Sequence, residues 1–317
     1  MTLPLAPPIA PQLARGQAVL PTGADWVYEQ KYDGFRALAF VDGEALALQS
    51  RAGRPLERYF PELRFPPGRY VLDGEIVIDS APGTGEPEDF DALAARIHPA
   101  ASRIERLARE TPARYIAFDL LAHDDEVLFE LPFLRRRAQL EALELDAVAL
   151  APSTADAAVA ERWLHAAEGV VAKRRSAPYA AGKRTAMVKV KRTRTLDAVL
   201  AGYRPGKEPR TVGSLILALY EENGALRVVG HCSGIRPAEK RNLRERLAAY
   251  ETGARGHGEA SRWKSEKELE WIELRPELVV EVSFEQQSSG RIRHGTRLLR
   301  WREDKPARDC SLSQLYQ

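Results

Sequence analysis

The chain has 317 residues, of which 44% are hydrophobic and 29% are charged, and its formal net charge is +2. This length favours two domains, and this composition is typical of a folded globular protein rather than a disordered chain. Residues 1–14 contain four prolines and no basic residue, which excludes an ordinary signal peptide, and no apolar run reaches the roughly 18 residues of a membrane span, so we expect a cytoplasmic protein without membrane attachment.

The first two-thirds of the chain alternate strand and helix patterns. Residues 26–50 read as strands broken at Asp33-Gly34 and again at Asp42-Gly43, and the second break is a good two-residue hairpin signal. Further strands are predicted at residues 70–78, 115–121, 169–173 and 187–191. Helical periodicity covers residues 89–109 with a break near Pro99, residues 134–145, and residues 155–167 after an N-cap at Ser153 or Thr154.

The pattern changes after Arg192, where short strands dominate. They are predicted at residues 199–203, 215–220, 226–231 and 278–284. A turn at Glu222-Asn223-Gly224 joins two of them, and residues 238–250 form an amphipathic helix. Several short strands with one helix suit a small barrel of the OB type. The sequence therefore predicts an α+β protein with domains at residues 1–193 and 194–317.

The two cysteines, Cys232 and Cys310, are far apart in the sequence, and no Cys/His cluster has the spacing of zinc ligands. A structural zinc site is therefore not expected. Their spacing leaves a disulfide possible, but we predict two buried free thiols.

The small net charge hides two basic segments that contain no acidic residue, residues 173–194 and 291–302. A single segment of this kind is often no more than a solvated surface. Two of them in a nearly neutral chain indicate a polyphosphate partner, whose counterions the basic side chains would release on binding.

The first candidate catalytic residue is Lys31, which lies in the stretch Glu29-Gln30-Lys31-Tyr32-Asp33-Gly34-Phe35-Arg36. A lysine that leaves a strand just before an Asp-Gly turn can point its amine at a ligand, although a surface lysine beside an ordinary turn gives the same pattern. Further motifs follow in a fixed order: Ser50-Arg51-Ala52-Gly53, Leu72-Asp73-Gly74-Glu75, Ala117-Phe118-Asp119-Leu120-Leu121, Glu168-Gly169-Val170-Val171-Ala172-Lys173, Val188-Lys189-Val190-Lys191-Arg192 and Arg300-Trp301-Arg302-Glu303-Asp304-Lys305.

In this order the motifs resemble those of the covalent nucleotidyltransferases, which include DNA ligases, RNA ligases and mRNA capping enzymes. Within that group the chain resembles the compact bacterial ATP-dependent DNA ligases of the C type and the ligase part of D-type enzymes. The resemblance covers nearly the whole chain. It implies an adenylation domain followed by an OB-fold domain, and an enzyme of DNA repair that seals 3′-OH/5′-phosphate nicks through a lysyl-AMP intermediate.

The resemblance also implies roles for single residues. Lys31 would be the catalytic nucleophile, and the charges of Lys189 and Lys191 would favour its neutral, reactive form. Glu29 would recognise adenine and Phe118 would stack on it. The residues that would hold ribose and phosphate oxygens are Arg36 and Arg51.

Two carboxylates are candidate metal ligands, because Mg²⁺ prefers oxygen donors and takes few from the protein. They are Glu75, which would lie near the ribose or the metal, and Glu168. Arg302, Asp304 and Lys305 match the last motif, which by resemblance orients the leaving pyrophosphate. One departure from the family pattern is Met187, which stands where an aromatic residue is usual and is expected to be tolerated.

The implied cofactors are ATP and Mg²⁺ or Mn²⁺. The implied substrate is nicked duplex DNA, and a repair polymerase, a primase or end-binding proteins are the expected partners of a monomer that works at the nucleoid. Two alternatives stay open at this point. One is a capping or RNA-joining enzyme, although RNA ligases generally lack the last motif; the other is a non-catalytic nucleic-acid-binding protein on an OB scaffold.

Overall fold

The computed structural model describes residues 2–81, 87–258, 270–288 and 290–316. The chain divides into two compact units, with the division between Arg192 and Thr193. Each unit has its own hydrophobic core. In the described part of the chain, no helix has both the length and the apolar character needed to cross a membrane.

The described part of the first unit contains two β-sheets. One has the strand order β1-β11-β10-β2-β9; the other has the order β4-β3-β5-β6-β7, with β8 beside β6. The strands are β1 (Arg15–Gly16), β2 (Trp26–Lys31), β3 (Phe35–Gly43), β4 (Ala45–Ser50), β5 (Gly68–Val77), β6 (Arg114–His123), β7 (Glu126–Val127), β8 (Ala149–Leu150), β9 (Ser153–Thr154), β10 (Gly169–Arg174) and β11 (Met187–Lys191). The main predicted strands are confirmed, and the short strands β1, β7, β8 and β9 escaped the sequence pattern.

Among the residues described for this unit, four α-helices pack around these sheets, together with a short 3-10 helix at Glu57–Tyr59. They are α1 (Phe90–Ala95), α2 (Ala101–Glu110), α3 (Phe133–Ala142) and α4 (Ala157–Ala166). The predicted break near Pro99 is confirmed by the gap between α1 and α2. The predicted cap of α4 was wrong, because Ser153 and Thr154 pair with β2 as strand β9. Asp156 caps the helix instead, and its carboxylate accepts a hydrogen bond from the backbone N–H of Ala158 at 2.8 Å.

The Lys-x-Asp-Gly turn requires a glycine because two strands approach each other closely there. A Cβ atom at Gly34 would lie only 2.2 Å from the carbonyl oxygen of Ile76 in β5. Any side chain there would force β3 away from β5, in which Glu75 stands directly opposite Arg36. The glycine therefore keeps the residues that follow Lys31 against the strand that carries Glu75.

The second unit is a curled sheet in which the long strand β12 pairs with three others, β13, β16 and β17. Its strands are β12 (Arg194–Pro205), β13 (Val212–Tyr220), β14 (Leu226–Cys232), β15 (Glu251–Gly256), β16 (Trp271–Leu274), β17 (Val279–Phe284), β18 (Gln286–Ser288), β19 (Arg291–His294) and β20 (Arg297–Trp301). Besides α5 (Pro237–Ala248), 3-10 helices lie at Ala307–Asp309 and Leu312–Tyr316. The predicted turn is confirmed, with Gly224 at φ +80°. Cys232 and Cys310 are free and buried, as predicted.

Candidate active site

A cavity of about 260 Å³ opens in the first unit beside the end of β2. Strands from both sheets contribute to its wall, so residues far apart in the sequence line one space. The lining residues that the sequence analysis named are Glu29, Lys31, Arg36, Arg51, Glu75, Phe118, Met187 and Lys189. Lys191 and Glu168 are not part of the lining, but Glu168 forms an ion pair with Lys31 and a second one with Lys191.

Lys31 is the last residue of β2, where it stands opposite Gly169 of β10. Its amine donates to the carboxylate of Glu168 and to the carbonyl oxygen of Tyr32, the latter at 3.2 Å. The pKa of Lys31 is lowered to about 8; burial is the largest cause, the charge of Glu75 opposes it, and the charge of Lys191 adds to the lowering. The amine is therefore much closer to its neutral form than that of a surface lysine.

Lys189 and Lys191 lie two residues apart on β11, so their side chains leave the same face of the strand. Lys189 lines the cavity, and the amine of Lys191 is 3.6 Å from the buried carboxylate of Glu168. Both charges lower the pKa of Lys31. The effect of these two cations was predicted from the sequence, but burial, which is the larger cause, was not.

Burial also favours the protonated, uncharged form of two carboxyl groups near Lys31. The pKa values of Glu75 and Glu88 are both raised to about 7, with burial as the largest cause. Glu88 accepts a hydrogen bond from the backbone N–H of Asp33 at 3.4 Å. Glu88 was not predicted, since nothing local marks a glutamate before α1 as part of a site that starts 57 positions earlier.

Arg36 is fixed by a forked ion pair with Asp73, whose side chain is fully buried. The guanidinium donates from Nε and Nη2 to the two carboxylate oxygens at 2.8 and 2.6 Å. Tyr179 donates its hydroxyl to the same carboxylate at 2.6 Å and accepts from the backbone N–H of Gln12 at 3.0 Å. Burial opposes the charge of Arg36, but Asp73 outweighs it and raises the pKa of the guanidinium. The arginine therefore presents a permanent charge in a fixed orientation.

Glu29 and Phe118 form another side of the cavity, and Lys173 joins them. The amine of Lys173 is 2.6 Å from the carboxylate of Glu29 and donates to the carbonyl oxygen of Phe118 at 2.9 Å. It also lies 4.7 Å from the centre of the Phe118 ring. A buried carboxylate beside an aromatic face is an arrangement that can bind a flat base with an amino group at its edge.

The last motif lies in the second unit and is held together by one carboxylate. Arg302 donates to both oxygens of Asp197 at 2.9 Å, and the amine of Lys305 donates to Asp197 at 2.8 Å. Arg302 also forms a fork with Asp304 at 2.9 Å. Asp197 was not predicted as part of this motif, because it lies 105 positions before Arg302.

The described residues contain no group of three or more His, Cys, Asp or Glu side chains arranged to hold a metal ion. Glu75 and Glu168 offer two carboxylates beside the lysine instead. This donor set fits Mg²⁺ or Mn²⁺ bound through one or two carboxylates, with water and substrate phosphates as the remaining ligands. The cavity as a whole supplies a reactive amine, fixed cations for phosphate oxygens and a pocket for a base.

Comparisons with known proteins agree with this chemistry. A family model described as "ATP dependent DNA ligase domain" matches residues 7–191, and one described as "ATP dependent DNA ligase C terminal region" matches residues 208–305. The chain is 42% identical to DNA ligase C2 of Mycolicibacterium smegmatis, over 99% of this chain and 96% of the relative. It is 31% identical to the Mycobacterium tuberculosis protein named "Multifunctional non-homologous end joining DNA repair protein LigD", over 94% of this chain and 38% of the relative. A solved structure of mycobacterial DNA ligase D complexed with ATP and MES is 28% identical, with a TM-score of 0.53, over 95% of this chain and 97% of that one.

Proposed function

The chain belongs to the ATP-dependent DNA ligases, and from that premise we propose that Lys31 is the residue that carries AMP from ATP to the 5′-phosphate of a nick. The observation that carries this assignment is the environment of its amine. Lys31 lines the cavity, and burial lowers its pKa to about 8. A lysine must lose its proton before it can attack phosphorus, so this amine is suited to the reaction.

In the first step, the neutral amine of Lys31 attacks the α-phosphorus of ATP. A nitrogen–phosphorus bond forms, the bond to the bridging oxygen of the β-phosphate breaks, and pyrophosphate leaves. Negative charge develops on the phosphate oxygens during this step, and the fixed cations Arg36, Lys189 and Lys191 would stabilise it. The carboxylate of Glu168, which contacts the amine, would aim it.

The second and third steps use the same cavity. The 5′-phosphate of the nick attacks the AMP phosphorus and displaces Lys31, which leaves a 5′-to-5′ adenylated strand. The 3′-hydroxyl on the other side of the nick then attacks the phosphorus of the adenylated 5′-phosphate. This attack joins the two strand ends and releases AMP. Both displacements depend mainly on positioning and charge stabilisation, which rigid groups such as the Arg36–Asp73 fork can supply.

The base and sugar of ATP would be held by the remaining residues of the cavity. The carboxylate of Glu29 would accept a hydrogen bond from the adenine amino group, and Phe118 would stack on the ring. Arg36 and Arg51, which both line the cavity, would bind ribose and phosphate oxygens.

Glu75 and Glu168 would hold Mg²⁺ or Mn²⁺, and the bound ion would draw charge from the phosphate oxygens. The support is the chemistry of two acidic side chains beside the nucleophile. Glu168 is buried and balanced by Lys31 and Lys191, so a bound cation would have to share its carboxylate with these amines.

The domains that we propose, an adenylation domain at residues 1–193 and an OB-fold domain at residues 194–317, divide the work. Arg302, Asp304 and Lys305 of the second domain would orient the leaving pyrophosphate. The exposed basic side chains of segments 173–194 and 291–302 would contact DNA phosphates with little sequence preference. Binding to nicked DNA should therefore weaken steeply with added salt.

Repair is the cellular setting that the family supports, since a relative bears the name of an end-joining repair protein. We propose that this ligase acts as a monomer in the cytoplasm, at the nucleoid where its DNA substrate is found. A repair polymerase, a primase or end-binding proteins would bring it to broken ends.

The test is nucleotide loading. The purified protein is incubated with Mg²⁺ and with ATP or GTP labelled at the α-phosphate, then chased with nicked DNA. We expect label on the protein from ATP, transfer of that label to nicked DNA, and no label on Lys31→Ala. The matched control Lys207→Ala, at an exposed lysine of the second unit, should load normally. Label from GTP alone, or on Lys31→Ala, would overturn the proposal.

A further inference from the structure

Helix α3 reaches the base-binding side of the cavity through two consecutive arginines. Arg136 forms a fork with Asp119 at 2.8 and 3.0 Å, and both side chains are almost fully buried. Asp119 directly follows Phe118 in β6. Arg137 extends instead to Glu29, where its Nη1 donates to the carboxylate at 3.4 Å. One helix is therefore tied to Glu29 and to the residue that follows Phe118, and Glu29 and Phe118 are the two residues that we propose for adenine recognition.

The carboxylate of Glu29 sits in a charge environment that is unusual for a side chain only 2% exposed. Lys173 of β10 contacts one of its oxygens and Arg137 of α3 contacts the other. The pKa of Glu29 is raised, with burial as the largest cause, and the charges of Lys173 and Arg137 oppose this rise. Two cations thus oppose the cost of burying this charge and fix the direction in which its oxygens point.

We infer that Arg137 is a positioning residue for nucleotide choice, because it holds Glu29 as an oriented, ionised acceptor that takes adenine and rejects guanine. The inference depends on the proposed role of Glu29. An ionised carboxylate can only accept hydrogen bonds. Adenine offers an amino group at its sixth position, whereas guanine has a carbonyl oxygen there, which a carboxylate repels.

The discrimination between adenine and guanine needs both contacts with Glu29, the one from Lys173 and the one from Arg137. With Lys173 alone, the carboxylate could rotate about its remaining partner or take up a proton, and a protonated acid could donate to the guanine oxygen. A site whose buried acceptor receives a hydrogen bond from its substrate discriminates strongly against an analogue that has no donor at that position. This holds only while the acceptor stays in place. Arg137, itself buried, supplies the second fixed contact.

The experiment measures lysyl-nucleotide formation with ATP and with GTP, as kcat and KM, in wild type and Arg137→Met. We expect the ATP-over-GTP preference in kcat/KM to fall about tenfold or more, the size of a lost hydrogen bond to a charged group. Most of the change should be a higher KM for ATP. Arg137→Lys, which keeps the charge, should restore much of the preference. Equal losses for both nucleotides would mean a merely structural role and would overturn the inference.

Two controls separate Arg137 from its surroundings. Arg135→Ala removes an exposed arginine from the same helix. Glu141→Gln removes the other partner of Arg137, which lies at 2.6 Å, without touching Glu29. Both should keep the wild-type preference, and a loss in Glu141→Gln equal to that in Arg137→Met would contradict the assignment.

A double-mutant comparison keeps the test decisive if Arg137→Met folds poorly. In a Glu29→Gln background, Arg137→Gln should change the nucleotide preference less than about twofold, because its target is gone. In the wild-type background the same substitution should lower it. An additive effect in both backgrounds would refute the inference. A wild-type protein that loads no nucleotide would instead refute the proposed function.

Discussion

The amine of Lys31 donates a hydrogen bond to the carboxylate of Glu168, a residue that directly precedes the strand opposite β2. The same carboxylate lies 3.6 Å from the amine of Lys191. The buried carboxylate of Glu168 thus balances the charges of two lysines beside the proposed reaction centre. This pairing explains how an amine with a lowered pKa can stay ordered in a cavity rich in cations.

Replacing Glu168 should therefore impair loading directly. We predict that Glu168→Gln lowers the rate of lysyl-AMP formation about 100-fold, within the range seen when a group that orients or stabilises the reacting atoms is lost. Single-turnover loading with labelled ATP measures this. Glu161→Gln, at an exposed glutamate of α4, is the matched control and should load at the wild-type rate. Equal rates for the two variants would remove Glu168 from the mechanism.

Burial should decide how much each of two similar ion pairs stabilises the first unit. The Arg36–Asp73 fork has a fully buried acid, whereas the Arg114–Asp79 fork is 44% and 61% exposed. We predict that Asp73→Asn lowers the free energy of unfolding by about 3–5 kcal/mol, because it leaves a buried charge unbalanced. Asp79→Asn should cost less than about 1 kcal/mol. Urea unfolding of both variants provides the comparison, and similar losses would contradict the prediction.

The raised pKa of Glu88, about 7 against an ordinary 4.5, should make stability depend on pH. Folding favours the protonated acid, so Glu88 destabilises the fold above pH 7, and this penalty disappears as the pH falls towards 4.5. We predict that Glu88→Gln is more stable than wild type by about 1–3 kcal/mol at pH 8. Below pH 4.5 the two proteins should unfold alike. Denaturant titrations across this range measure the difference, and a constant difference at every pH would argue against it.

Loss of Arg302 should slow the loading of AMP from ATP and should change the later sealing of the nick much less. If it orients pyrophosphate, Arg302→Ala should lower loading from ATP at least about tenfold. Sealing by protein that has already been adenylated should change much less. Arg300→Ala, at an exposed arginine two positions earlier, should leave loading unchanged. Equal losses in loading and in sealing would indicate a general defect of the second unit instead.

Local sequence signals were sufficient for the elements that bear the motifs. The sequence predicts a strand at residues 187–191, and β11 has these bounds. The turn before β4 was slightly misplaced. Asp42 pairs with Ala45, so the turn residues are Gly43 and Glu44 rather than Asp42 and Gly43.

Contacts between distant segments could not be predicted in the same way. Glu29 and Arg137 are 108 positions apart, and Tyr179 reaches Asp73 across 106. No local pattern shows that these side chains meet, because the meeting depends on how two sheets and α3 pack together. Burial is likewise a property of the folded unit, so its effect on the pKa of Lys31 was missed while the nearby lysines were noticed.

The most direct test of the account is the intact mass of the protein after incubation with ATP and Mg²⁺, followed by peptide mapping. We predict an added mass of one adenylate, located on Lys31 and absent from Lys31→Arg, whose guanidinium cannot act as a neutral amine. The adenylate should disappear when nicked DNA is added. A folded wild-type protein that never gains this mass, or that carries the adenylate on another residue, would contradict the central claim.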